Sequence, residues 1–206
     1  MIKKIIKKAE YISSQPTWKT LVFEKSHEYA FIGRSNVGKS SLINALCDNK
    51  KLALVSKKPG KTKMLNLFRI NDAWNLMDLP GYGYAKASKT DRVGFQEMLS
   101  DYFNNRKNLV NVFVLVDPNI PPQKIDIDFI NFLGENVVAF AIVYTKTDKS
   151  TLNKINQNIQ AFERELLKEW EELPPSFRTS ANTKDGIEKI TSYIDQLNKE
   201  VELLKD

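Results

Sequence analysis

Residues Gly33-Arg34-Ser35-Asn36-Val37-Gly38-Lys39-Ser40 match the pattern G-x-x-x-x-G-K-S/T. Glycines at both ends let the backbone fold tightly, so that successive N–H groups aim at phosphate oxygens. Lys39 would reach the β- and γ-phosphates as a point charge. The Ser40 hydroxyl would ligate Mg²⁺, which takes few protein ligands and keeps several waters. Two further strings follow in order. Asp78-Leu79-Pro80-Gly81 carries a carboxylate able to hold Mg²⁺ through water, and the Gly81 N–H can meet a third phosphate. Thr145-Lys146-Thr147-Asp148 offers a carboxylate that can accept from guanine N1–H and the exocyclic amine. Adenine has no such donor pair on that edge. The stem of Lys146 can cover the face of the base. Each short string is weak alone, but their order behind a phosphate loop points to a bound guanine nucleotide. An ATPase or kinase built on the same loop is the competing reading, and Asp148 discriminates against it.

These residues must be held by secondary structure. Tyr29-Ala30-Phe31-Ile32 reads as a buried strand ending on Gly33, and Leu42, Ile43 and Leu46 fit a helix that follows the loop. Residues 50–61 lack a sustained period and contain Pro59-Gly60, so they read as a loop. Residues 64–70 and 74–79 read as strands joined by an Asn71-Asp72 turn. Residues 80–88, with two glycines, read as a loop and 90–104 as a helix. Residues 109–116 and 137–144 are strand-like, the second almost wholly apolar and so buried on both faces. Ile155, Ile159, Phe162, Leu166 and Trp170 mark an amphipathic helix, and Ile187, Ile190, Ile194, Leu197, Val201 and Leu204 a closing one. Strands alternating with helices predict an α/β sheet covered on both faces. Ligands of such sheets bind at the strand C-termini, where all three strings fall. Residues 1–25, interrupted by Gln15-Pro16-Thr17, read as an extension to a domain spanning 26–206.

The 206 residues are 42% hydrophobic and 27% charged, which excludes a wholly disordered chain. One cysteine, Cys47, and one histidine, His27, exclude a disulfide framework and a His-rich metal site. No apolar run is long enough to cross a membrane, and the basic start MIKKIIKKAEYI lacks a continuous apolar core, so a cytoplasmic setting is expected. A monomer is the separate expectation for its assembly. Net charge is +6, unevenly placed: residues 1–63 hold 14 Lys+Arg against 4 Asp+Glu, while 64–206 hold 17 against 21. Lys50, Lys51, Lys57, Lys58, Lys61 and Lys63 crowd one short segment, a surface suited to a polyanion.

Four stretches, GRSNVGKSSLINAL, PGKTKMLN, DLPGYGYA and TKTD, resemble the EngB (YihA/YsxC) family of Era-like GTP-binding proteins. The Gly-Tyr-Gly-Tyr continuation is the most specific of them. The resemblance spans roughly residues 28–200. It implies a three-layer Ras-like fold with a mostly parallel six-stranded sheet and five helices. It also implies a switch in large ribosomal subunit assembly, with ribosomal RNA as partner and a link to cell division and septation. A GTP-regulated binding module for a division protein is the alternative. On the family pattern Thr62 joins Ser40 on Mg²⁺ when the third phosphate is present. Gly60, Lys61, Thr62, Lys63 and Met64 wrap the nucleotide, and a backbone N–H of Thr179-Ser180-Ala181 meets guanine O6.

Where Ras-type enzymes carry a water-orienting Gln after DxxG, this chain has Tyr82. A phenol cannot copy the amide's donor and acceptor pair, so slow hydrolysis, around 10⁻⁴ s⁻¹ without a partner, is expected. No catalytic base is assigned. Asn36 raises K⁺ as a candidate cofactor, against the alternative that it only braces its own loop. Asp126 and Asp128 are placed on a helix away from the nucleotide. His27, Cys47, Trp18 and the cluster Glu169, Glu171 and Glu172 are read as structural or solvated.

Overall fold

The computed structural model describes residues 5–21, 26–54, 64–83 and 89–204, with the backbone alone at 89–92. The predicted site segment at Gly60, Lys61, Thr62 and Lys63 lies outside the described residues.

The most apolar runs build the centre of the sheet. All of β2 (Glu28–Gly33) is buried, and it runs parallel to both β4 (Trp74–Asp78) and β5 (Leu109–Val116). β6 (Phe140–Tyr144) and β7 (Ser176–Arg178) continue the parallel order beyond β5. On the other side β3 (Leu65–Ile70) returns antiparallel to β4 through a turn whose Asn71 and Asp72 have φ of 52° and 56°. Both central residues left-handed is the geometry of the tight hairpin turn that matches strand twist.

The architecture is the expected Ras-like α/β fold, but the sheet has seven strands where six were expected, in the order β1-β3-β4-β2-β5-β6-β7. The added strand is β1 (Ala9–Gln15), inside the segment read as an extension, and it pairs antiparallel with β3. Its side chains are exposed or half-buried, so no apolar alternation marks it in the sequence. Backbone pairing and Asn71 hold it: the Asn71 side chain accepts from the amides of Lys7 and Lys8 at 2.8 and 3.0 Å and donates to Ile5 O at 2.8 Å.

Two apolar layers flank the sheet. On one face lie α1 (Lys39–Leu46) and α5 (Ile187–Leu203), through Leu42, Ile43, Leu46, Ile190 and Ile194. On the other lie α2 (Lys89–Asn105), α3 (Lys124–Glu135) and α4 (Leu152–Leu166), through residues such as Leu99, Ile130 and Ile159. In α4 the buried positions Ile155, Ile159, Phe162 and Leu166 follow the helical period. Trp170 lies beyond the helix end, against Phe140, and donates to Asn131 Oδ1 at 2.8 Å. The strand predicted from Val137 starts only at Phe140, because Val137 closes the turn after α3 with φ of 55° and is 93% exposed. Trp18 packs beside α2, donating to Asp101 at 2.6 Å, and His27 Nδ1 lies 2.8 Å from Asn198 Oδ1. Among the described residues no helix is long and apolar enough to cross a membrane.

Candidate nucleotide-binding site

The parallel strands deliver their C-terminal ends to one edge of the sheet. Gly33 ends β2, Asp78 ends β4, Thr145 follows β6 and Thr179 follows β7. Four strings far apart in sequence therefore meet at a single edge.

From Gly33 the chain turns at once into α1. Gly38 is the N-cap, with φ of 105°, a conformation that L side chains rarely adopt. Gly38 offers no side chain to cap the helix, which leaves the first-turn amides as donors suited to an anion. Lys39, the first helical residue, pairs its ammonium with Asp78 Oδ1; the two side chains are 12% and 6% exposed. Asn66 Nδ2 lies 3.5 Å from the other Asp78 oxygen. Leu79, Pro80 and Gly81 are buried behind Asp78, and Met64 is half-buried at the start of β3. Ser35 and Ser40 are half-buried and Asn36 is exposed, with φ of 64°.

The TKTD string is tied to the phosphate loop by two side chains. Thr145 Oγ1 donates to Val37 O at 2.6 Å, and Lys146 Nζ donates to Asn36 O at 2.6 Å. Lys146 has φ of 54°, a strained setting for a side chain of its size, and two residues at the end of β5 brace it. Asp117 Oδ2 accepts from Lys146 Nζ at 2.9 Å, and Asn119 Nδ2 donates both to Lys146 O at 3.0 Å and to Asp117 Oδ1 at 2.7 Å. Burial would raise the Asp117 carboxyl, but hydrogen bonds from Lys146 and Asn119 hold it below the usual carboxylate range. Sequence reasoning missed Asp117 and Asn119. The available signal was an acid directly after a strand that is apolar except for Asn111.

Asp148 is held from the β7 side. Ser180 Oγ donates to its Oδ1 at 2.8 Å and Asn182 Nδ2 approaches Oδ2 at 3.4 Å. The Ser180 hydrogen bond foremost keeps this carboxyl below its ordinary range, so it is an acceptor for paired N–H donors. Thr147 donates from its amide and its hydroxyl to Thr179 O, each at 3.1 Å, while Thr179 N reaches back to Tyr144 O at 2.7 Å. Thr179 and Ser180 are fully buried and Ala181 half-buried, so this short string is rigidly seated. The family pattern uses only a backbone N–H of this string, whereas the Ser180 hydroxyl aligns the acid.

Asp126 requires a correction. It lies on a helix as expected, but not away from the phosphate loop. Its carboxylate accepts from Arg34 Nε, at 2.9 Å to each oxygen, and from Tyr82 Oη at 2.9 Å. A helix assignment alone does not show where the start of α3 lies relative to the phosphate loop.

The arrangement is a phosphate cradle joined to a two-donor acceptor for a purine edge. A family model described as 50S ribosome-binding GTPase matches residues 28–146. A protein of Flavobacterium psychrophilum named "Probable GTP-binding protein EngB" is 50% identical over 95% of this chain and 96% of its own length. Another of that name from Porphyromonas gingivalis is 47% identical over 95% of this chain and 98% of its own. A crystal structure of a probable GTP-binding protein engB superposes with a TM-score of 0.63 at 25% identity, covering 84% of this chain and 99% of that one.

Proposed function

This chain belongs to the EngB family of GTP-binding proteins, and from that premise we propose that it hydrolyses GTP slowly as a nucleotide-dependent switch in assembly of the large ribosomal subunit. The observation that carries the reading is the joining of the Asp148 loop to the phosphate loop by Lys146, with Asp148 aligned by Ser180.

Asp148 would accept from guanine N1–H and the exocyclic amine, and an amide of the Thr179-Ser180-Ala181 string would donate to O6. The amides of Gly33, Arg34, Ser35, Asn36, Val37 and Gly38 would surround the phosphates, with Lys39 leaving Asp78 for the β- and γ-oxygens. Gly81 N–H would donate to the third phosphate. Ser40 and Asp78 supply hard oxygens at one strand end, a donor set that suits Mg²⁺, and Thr62 would join them on the family pattern. Bound Mg²⁺ would neutralise charge shared between the β- and γ-oxygens.

Tyr82 supports slow turnover. It is 4% exposed and its phenol is committed to Asp126, so it presents neither a donor nor an acceptor to a water above the phosphates. A partner that supplies the missing group would accelerate hydrolysis from roughly 10⁻⁴ s⁻¹. Purified protein turning over several GTP per second would overturn this. Different rates in K⁺ and Na⁺ would assign Asn36 a cation; equal rates would leave it a loop brace.

The family model's description and the lysines at 50, 51, 57, 58, 61 and 63 support ribosomal RNA as the partner. The link to cell division and septation is carried by family resemblance. Co-sedimentation with large-subunit precursors, with a GTP analogue or GDP, tests the reading. Association should depend on the nucleotide and weaken steeply with salt. Nucleotide-independent or absent association would favour a switch that acts on a division protein instead. ATP competing as well as GTP would overturn the guanine assignment.

A further inference from the structure

Asp126 stands in the first turn of α3, outside every string that pointed to the nucleotide, and its side chain is 1% exposed. A carboxylate so buried needs partners, and they come from two segments of the site. One is Arg34, second residue of the phosphate loop; the other is Tyr82, directly after Gly81. Burial pushes the Asp126 carboxyl up, and Arg34 and Tyr82 oppose that push. Burial, reinforced by Asp126, pushes the Tyr82 phenol well above its ordinary range, so it remains a donor. The Tyr82 ring also stacks on Phe129, one turn along the same helix, with centroids 4.4 Å apart and planes 21° apart. Its backbone bridges to that of Arg34. Gly81 is pressed onto the loop so closely that a Cβ would fall 2.7 Å from Gly33 O. The placement of Gly81 against the loop thus follows from Tyr82, and the placement of Tyr82 from α3.

We propose that Asp126 is a positioning residue for the third phosphate: through Arg34 and Tyr82 it fixes the Gly81 amide against the phosphate loop. This rests on the reading of Gly81 N–H as a donor to that phosphate. A restraint on a donor affects only the bound state that uses the donor. Through the Tyr82 link, GTP therefore feels the Asp126 carboxylate and GDP does not, although Asp126 touches neither. A purely structural role would weaken both nucleotides alike.

The test uses the full chain as wild type, Tyr82→Phe, Asp126→Asn and the double variant. Affinities for GDP and for a non-hydrolysable GTP analogue are measured by competition against fluorescent GDP, with thermal melting as the control for folding. Tyr82→Phe keeps the stacked ring and removes only the hydroxyl. It should lower analogue affinity roughly three- to tenfold, the weight of one hydrogen bond, while GDP affinity stays within about twofold. The double variant should lower the analogue-to-GDP ratio no further than Asp126→Asn alone, because both changes break one link. Should Asp126→Asn fail to fold, Tyr82→Phe decides alone. An unchanged ratio in folded Tyr82→Phe, an equal loss for both nucleotides, or additive losses in the double variant would overturn the inference. Wild type that binds neither nucleotide would instead overturn the functional reading beneath it.

Discussion

Lys146 Nζ lies 2.6 Å from the main-chain oxygen of Asn36, a contact that spans 110 residues of sequence and joins the two halves of the candidate site. The same ammonium is 2.9 Å from Asp117 Oδ2, so its position is fixed before any ligand arrives. Lys146→Met would keep an apolar stem for the base and remove both hydrogen bonds. Such charge-assisted bonds contribute about 1.5–3 kcal/mol when well buried. Because the Lys146 side chain is 34% exposed, the lower end applies, and GDP release should quicken by roughly tenfold. Stopped-flow release of fluorescent GDP measures it.

Asp148→Asn replaces one acceptor oxygen by an amide donor. That donor opposes the exocyclic amine of guanine but suits the carbonyl at the same position of xanthine. GDP affinity should fall by about a hundredfold, and xanthosine diphosphate should become the better competitor. Ser180→Ala, which removes the 2.8 Å hydrogen bond aligning Asp148, should weaken GDP by only about three- to tenfold.

The N-terminal ends of the strands carry a charge pair of a different kind. Arg106 binds Glu28 through Nε and Nη2, and Tyr102 donates to the same carboxylate at 2.7 Å; the Arg106 and Glu28 side chains are 2% and 0% exposed. Arg106→Met would strand a buried carboxylate and cost about 3–5 kcal/mol of stability in urea unfolding. Glu28→Gln added to it should recover much of that loss. GDP affinity of the folded variants should not change, since Glu28 opens β2 and the site lies about 16 Å away at the other end of the strand.

Asp117 makes stability depend on pH at the acid end. Its folded pKa lies below the value near 3.9 of an unfolded aspartate, so between the two the unfolded chain binds more protons. The stabilisation is complete above about pH 5 and is lost as pH falls through the folded pKa. Asp117→Asn should flatten that part of a stability-versus-pH curve and leave the neutral region with the same slope.

Cys47 is 7% exposed, and burial pushes its thiol up to about 12. The thiolate is the reactive form, and at pH 8 only about one molecule in ten thousand would carry it. A chromogenic disulfide reagent should leave the folded protein unlabelled at pH 8 and label it fully in concentrated urea.

The local grammar of this chain was legible without coordinates. The phosphate loop is contiguous and sits between an apolar strand and a helix, so Gly33, Gly38, Lys39 and Ser40 could be assigned together. The α/β order, the Asn71-Asp72 turn and the acid at 148 rest on short-range spacing and the chemistry of single residue types. What escaped depends on partners distant in sequence. β1 has no apolar alternation and exists because β3 offers it an edge. β7 spans only three residues, too few for a period to show. Val137 looked like strand because it is apolar, yet it closes a turn in the left-handed region. Asp126, Asp117 and Ser180 gained their roles only when β5, β7 and the start of α3 were brought to the same sheet edge. A motif records what adjacent residues can do, whereas the partner a buried carboxylate or ammonium meets is set by how non-local strands and helices pack.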